Sequence, residues 1–234
     1  MRINAKQIAT GLSTAALCLS LGAGHAQAQT STPPIVERDK NWDITSTVTM
    51  VISVASVSLM PRIYYASPDA TVGWKARWHA SALAPIMSMV AATWLIDGPI
   101  RSAIKSPRDG CTVDQTTPHL EGSGCESWGS PSSHAFAAWG ASGAGFVIFL
   151  VDTLKYSDGE FSFPSLLGNV IVPFSAAMVS SIARSADGSG TGPESTGQVF
   201  AGAIPGVITG ALLGLLYSFA QQPDCGYGGY LVCW

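Results

Sequence analysis

A histidine at the mouth of an apolar run, flanked by hydroxyls and a proline, is the strongest chemical signal in this chain. The stretch reads Gly129-Ser130-Pro131-Ser132-Ser133-His134 and leads directly into the charge-free residues 135–151. Placing an imidazole and two hydroxyls there costs free energy unless they meet a polar partner. Arg101, Lys105 and Arg108 precede the stretch, and Arg184 follows one apolar segment later. Phosphate recognition needs fixed positive charge with hydroxyl or N–H donors, and the planar fork of Arg donates two parallel hydrogen bonds. Lys105 falls one helical turn beyond Arg101, so a partly helical segment would let these side chains converge. Taken singly, each is the usual surface or snorkelling charge. Together they outline a phosphate-ester site built from Arg101, Lys105, Arg108, Ser132, Ser133 and Arg184, with His134 beside it.

Other chemistries find less support. His25, His79, His119 and His134 lack metal-ligand spacing, so no metal and no cofactor is expected. Ser132 and Ser133 beside His134 suggest a hydrolase triad, but the Gly-x-Ser-x-Gly elbow is missing. A net charge of -3, with no basic stripe carrying interleaved aromatics, argues against nucleic-acid binding.

The elements that must position these residues are apolar. The chain has 234 residues, 47% hydrophobic and only 12% charged, against about a quarter charged in soluble chains; its mean hydropathy is +0.29. Arg2 and Lys6, the apolar stretch 8–22 and Ala26-Gln27-Ala28 read as a secretory signal cleaved after Ala28, with an uncleaved anchor as the alternative. A polar external linker, 29–43, then leads into an all-α, membrane-embedded domain, 44–220, ahead of a tail, 221–234. Five spans are expected at 44–60, 80–96, 135–151, 166–183 and 199–220. Gly140, Gly143 and Gly145 permit close helix approach in the third. Residues 63–79, with Lys75 and Arg77, read as an inner loop, and 152–165 as a short inner turn.

Counting crossings from an external residue 29 puts loops 98–133 and 184–198 on the same outer side, consistent with one shared site. That assigns the protein to a bacterial-type inner membrane with the site facing the periplasm or exterior. Cys111 and Cys125 flank the first outer loop and suit a disulfide in an exported protein. Cys225 and Cys233 fall inside on the same count, where a disulfide is disfavoured.

On these residues the chain resembles the type 2 phosphatidic acid phosphatase family, which includes bacterial acid phosphatases and vanadium haloperoxidases. The family's first motif, Lys-x6-Arg-Pro, is matched by Arg101 through Arg108, with Arg for Lys and Asp109 for Pro. Its second, Pro-Ser-Gly-His, reads Pro131-Ser132-Ser133-His134. Of its third, Ser-Arg-x5-His-x3-Asp, the start is matched by Ala183-Arg184, and 199–206 resembles the helix that follows. The resemblance covers roughly residues 80–216. It implies a metal-independent phosphoric monoester hydrolase acting on a phosphorylated lipid or small phosphate ester, in which the third-motif His attacks phosphorus and His134 protonates the leaving oxygen.

The departure lies at the nucleophile. Anchoring on 199–206 puts Glu194 at that position and Gln198 at the orienting Asp, whereas an ungapped count from Arg184 puts Gly190 and Glu194 there. Under either alignment the histidine is absent, since His134 is the last in the chain. Glu194 as a carboxylate nucleophile would repel a phosphate dianion, and Gln198 supplies no charge to tune it. The loss also removes the residue that would bind vanadate. The expectation is therefore a phosphatase-type membrane protein with impaired or altered catalysis. The alternatives are a non-catalytic binder of phosphate headgroups or of a protein, and an unrelated small helical membrane protein.

Overall fold

The computed structural model describes residues 40–66, 73–78, 83–108, 112–113, 120–121, 128–185 and 194–220. The expected signal segment, His119, Cys111, Cys125, Cys225, Cys233 and Gly190 lie outside them.

Helix α1 spans Lys40–Leu59 and leads through Pro61 into a hairpin of β1 (Arg62–Ala66) and β2 (Gly73–Arg77). Helix α2 (Leu83–Leu95) passes through a π-turn, Ile96–Ile100, into the short α3 (Arg101–Ile104). Two-residue strands β3 (Thr112–Val113) and β4 (Leu120–Glu121) pair antiparallel. Helix α4 spans Ser133–Lys155. The short α5 (Phe163–Leu166) and a π-turn, Leu167–Ile171, run into α6 (Val172–Ser185), and α7 spans Thr196–Ala220.

Among the described residues, four helical stretches are long and apolar enough to cross a bilayer: Asn41–Leu59, Ser133–Lys155, Phe163–Ser185 and Thr196–Ala220. Each begins two or three residues before the corresponding sequence-based span, because caps and polar first turns carry a helix past its apolar stretch. Near the remaining expected span, Pro99 lies inside the π-turn that separates α2 from α3. A proline there lacks the N–H that a continuous α-helix would use.

The bundle is organised around α4. Some 61% of its apolar window is buried inside the protein, against 22–33% for the other three. Its tightest partner is α7, whose Gly202, Gly206, Gly210 and Gly214 recur every fourth residue and so share one face. Each lies against the α4 segment: Gly202 on the Ser132 carbonyl, Gly206 on that of Phe136, Gly210 on that of Gly140 and Gly214 on that of Ala144. A Cβ on Gly206 would stand 2.5 Å from the Phe136 carbonyl oxygen. Without those methyls the two backbones approach closely, which is how helices associate where apolar burial gives no drive.

Both ends of the bundle carry exposed tryptophans, as interfacial aromatics do. Trp42 and Trp94 mark one end, and Trp74 and Trp78 on or beside β2 mark the other. The sequence reading of 63–79 as a plain loop is corrected here, since its charges sit on a paired hairpin. Arg62 pairs opposite Arg77, and Tyr64 opposite Lys75. The expected turn at 152–165 is also shorter, because α4 continues to Lys155 and buries Asp152. There Arg62 donates from Nε to Asp152 Oδ1 at 2.9 Å, and its guanidinium lies 5.5 Å from the ring centroids of Tyr156 and Tyr217. This buried ion pair fastens the hairpin to the end of α4.

Candidate functional site

At the other end of α4 the loop residues Gly129–Ser132 turn through a cis Ser130–Pro131 peptide into the helix. Ser132 is the N-cap, its Oγ accepting from the Ala135 N–H at 3.3 Å. Its own N–H donates to the Gln198 carbonyl at 3.0 Å, tying the start of α4 to the start of α7. Ser132 and Ser133 are both buried.

The centre of the site is Glu194, whose side chain is 0% exposed. Arg101, at the head of α3, donates from one terminal nitrogen to Glu194 Oε1 at 3.0 Å and from Nε to the Pro131 carbonyl at 2.8 Å. Arg184, in the last turn of α6, reaches Oε1 at 2.9 Å and Oε2 at 3.2 Å. Both carboxylate oxygens are therefore engaged. Burial alone would push this carboxyl's pKa up. The hydrogen bond and charge of Arg184, the Ser132 hydroxyl and the Arg101 charge outweigh that burial, and Glu194 is held below the ordinary carboxylate value.

Each arginine has a second acid. Arg101 pairs with Asp97 at 2.7 Å, and Arg184 with Asp43 at 2.7 Å; both aspartates are half exposed. Two guanidinium cations thus face three carboxylates, and the triad with its flanking acids carries net negative charge.

His134 is half-buried in the first turn of α4. Its Nε2 lies 3.2 Å from Thr47 Oγ1, and that hydroxyl donates to the Asp43 carbonyl at 2.9 Å. The charges of Arg184, Glu194, Asp97 and Arg101 all reach the imidazole. Among the described residues its buried Nδ1 has no hydrogen-bond partner.

Among the described residues, no hydrogen bond joins Gln198 to the Glu194 carboxylate. Its Oε1 accepts from the Ser195 N–H at 3.1 Å while Ser195 Oγ accepts from the Gln198 N–H at 3.3 Å. This reciprocal pair is a capping box starting α7, and the sequence Ser195-Thr196-Gly197-Gln198 carries its signature. Gln198 Nε2 also donates to Ser106 Oγ at 3.1 Å and to the Pro107 carbonyl at 2.6 Å, pinning the segment after α3.

The structure therefore brings Arg101, Arg184, Ser132, His134 and Glu194 into one cluster. Lys105 stands outside it, exposed in the left-handed conformation that ends α3 (φ 52). Arg108 lies three residues further on and is half-buried. Sequence reasoning overlooked Asp43, Thr47 and Asp97. Asp97 was detectable as the residue four before Arg101 on a helix. Asp43 and Thr47 were not, because nothing local reports that α1 docks beside His134.

These features define a helical membrane protein with a buried, charge-paired polar cluster at one end of its bundle. No protein-family model and no curated protein matches the chain. Among solved structures it is similar to that of the first transmembrane PAP2 type phosphatidylglycerolphosphate phosphatase from Bacillus subtilis. The identity is 15% and the TM-score 0.45, over 91% of this chain and 97% of that one.

Proposed function

We propose that this protein is a non-catalytic membrane relative of the lipid phosphatases, in which its own Glu194 occupies the place of a phosphate. One observation carries the reading: a fully buried carboxylate takes hydrogen bonds from two of the three arginines of the motif resemblance, Arg101 and Arg184. A carboxylate held this way has three of its roughly four lone-pair sites occupied by guanidinium N–H groups, which makes it a poor nucleophile toward phosphorus. Displacing it would strand an unpaired charge in a buried site, which is strongly unfavourable. The surplus of acids around the two guanidiniums adds repulsion against a phosphate dianion.

Under this reading His134 has an acid's position without an attacking partner, and its Thr47 contact is structural. Gln198 serves α7 as a cap and orients no nucleophile. The basic hairpin at the opposite end supports a membrane placement with that end cytoplasmic and the Glu194 cluster outside.

The test is phosphate release from phosphatidic acid and from a chromogenic monoester by the purified full chain. The expected result is no turnover above that of a His134→Ala variant. Release that disappears in both His134→Ala and Arg184→Ala would overturn the reading and establish a phosphatase with an unusual nucleophile.

A further inference from the structure

Helices α1 and α2 enclose between them a groove of about 400 Å³. Val51, Ala55 and Leu59 line its α1 wall, Val90 and Thr93 its α2 wall, and Ala137 of α4 part of its floor. Val51, Leu59 and Val90 are exposed, so the groove opens sideways out of the bundle. Its α1 wall, from Met50 to Leu59, is about 14 Å of helix at 1.5 Å per residue. That is close to half of a bilayer's hydrocarbon thickness of about 30 Å, the depth of one leaflet.

Toward the Glu194 cluster each wall turns polar. One helical turn carries Val51 to Thr47, Thr93 to Asp97 and Ala137 to His134. These residues meet above the groove: Thr47 Oγ1 lies 3.2 Å from His134 Nε2, and the charge of Asp97 reaches the imidazole. Trp94, exposed beside Thr93, marks the level at which the groove leaves the apolar zone.

The proton count at this rim is one-sided. The single Thr47 hydroxyl proton goes to the Asp43 carbonyl at 2.9 Å. In the contact with His134 it is therefore Nε2–H that donates to Thr47 Oγ1, and a neutral imidazole so bonded keeps Nδ1 bare. Asp97 gives one oxygen to Arg101 and is half exposed, with lone pairs left on its carboxylate. The three rim residues thus offer acceptors and no uncommitted donor. Arg101 and Arg184 do not reverse the sign of the charge, because both are shared with Glu194. With Asp43 and Asp97 these groups are net negative. Lys105 is exposed two turns beyond Asp97.

We propose that this groove binds a single-chain amphiphile bearing a primary ammonium, its hydrocarbon chain between α1 and α2 and its head against Asp97 and Thr47. The apolar walls match a hydrocarbon chain in character and depth. An ammonium has three donors and no acceptor, the complement of the rim. A phosphate or carboxylate head would add acceptors and negative charge where both are already in surplus. The inference requires Glu194 to keep its ion pairs but does not require catalysis to be lost. Ligand retention is read without phosphate release, so each reading can fail alone.

The test is native mass spectrometry of the full chain in a neutral detergent, after incubation with equal amounts of octadecylamine, octadecanol and stearate. Octadecylamine is expected to be retained in preference to the other two. Asp97→Asn, which keeps the side chain's shape, should lower the preference over octadecanol about fivefold, the worth of one partly exposed ion pair. Ala55→Phe and Val90→Phe, which fill the groove from opposite walls, should each reduce retained octadecylamine without changing helical circular dichroism. Equal retention of the amine and the alcohol by the unaltered chain would overturn the inference, as would stearate being retained most. So would a preference unchanged in Asp97→Asn, or amine retention unchanged in both Phe variants.

Discussion

Arg184 grips Glu194 in a two-point hydrogen bond, Oε1 at 2.9 Å and Oε2 at 3.2 Å, from ten residues away in sequence. The Glu194 N–H returns to the Arg184 carbonyl at 3.1 Å. Backbone and side chain together close the connection from α6 to α7 around an ion pair. Since Arg101 shares Oε1, the same carboxylate also joins α3 to that connection. Glu194 is in this sense a crosslink between three elements, and its removal should be felt as lost stability.

Glu194→Ala should destabilise the protein by about 3–5 kcal/mol, the usual consequence of leaving buried charge without its partner. The variant would retain two facing guanidiniums and the space of a carboxylate. Millimolar phosphate or formate should then raise its melting temperature while leaving that of the unaltered protein unchanged. Equal anion responses in both would show that Glu194 does not fill an oxyanion site.

The pH dependence follows from the same contacts. The carboxyl titrates lower in the folded protein than its ordinary value of 4.5, so below that value the unfolded chain binds the extra proton. Glu194 therefore contributes its full stabilisation above the unfolded value, and loses it as pH falls from there through the folded value. Melting temperatures measured on descending pH should drop through that acid window, and Glu194→Gln should flatten this part of the profile. A Gln variant with an unchanged acid slope would assign the slope to other carboxyls.

Much of this arrangement was legible in the chain. Of five apolar stretches, four located the helices that, among the described residues, are long enough to cross a membrane, because hydrophobic length is a local property; the fifth, 80–96, forms the shorter α2. The fourfold glycine spacing in α7 is visible by inspection. The Pro131–His134 stretch and the two arginines pointed to one cluster because each sits at the end of an apolar run. The partners of those arginines were not legible. Asp43 lies 141 residues from Arg184, and only the docking of α1 brings them together. Gln198 carries two signals: its resemblance-based role competes with a strong local capping signal, and its hydrogen bonds in the structure include those of the cap. The hairpin at Arg62–Arg77 was read as a loop because charged residues alternate with aromatics there too briefly to display a clear period of two.

The capping role gives its own test. Ser195→Ala removes the side-chain acceptor at the start of α7 and should cost about 1 kcal/mol, as N-cap deletions do. Gln198→Ala removes the reciprocal bond and also the tie to Ser106 and Pro107, so it should cost at least as much. In the double variant the two effects should fall short of additive, because they act on one shared pair of hydrogen bonds. Strict additivity in thermal unfolding would mean that the capping box does not operate as a unit.

The buried pair at the hairpin end separates fastening from function. Asp152→Ala leaves Arg62 buried beside Tyr156 and Tyr217 with its carboxylate gone, and should cost about 3–5 kcal/mol. Replacing both partners by apolar residues of similar volume, Arg62→Met with Asp152→Leu, should recover most of that loss, since neither charge is then stranded. The pair stands at the other end of α4 from Glu194, so its cost should add to that of Glu194→Ala rather than couple with it. If the Met/Leu double variant unfolds as readily as Asp152→Ala alone, the hairpin depends on the ion pair itself, and packing cannot replace it.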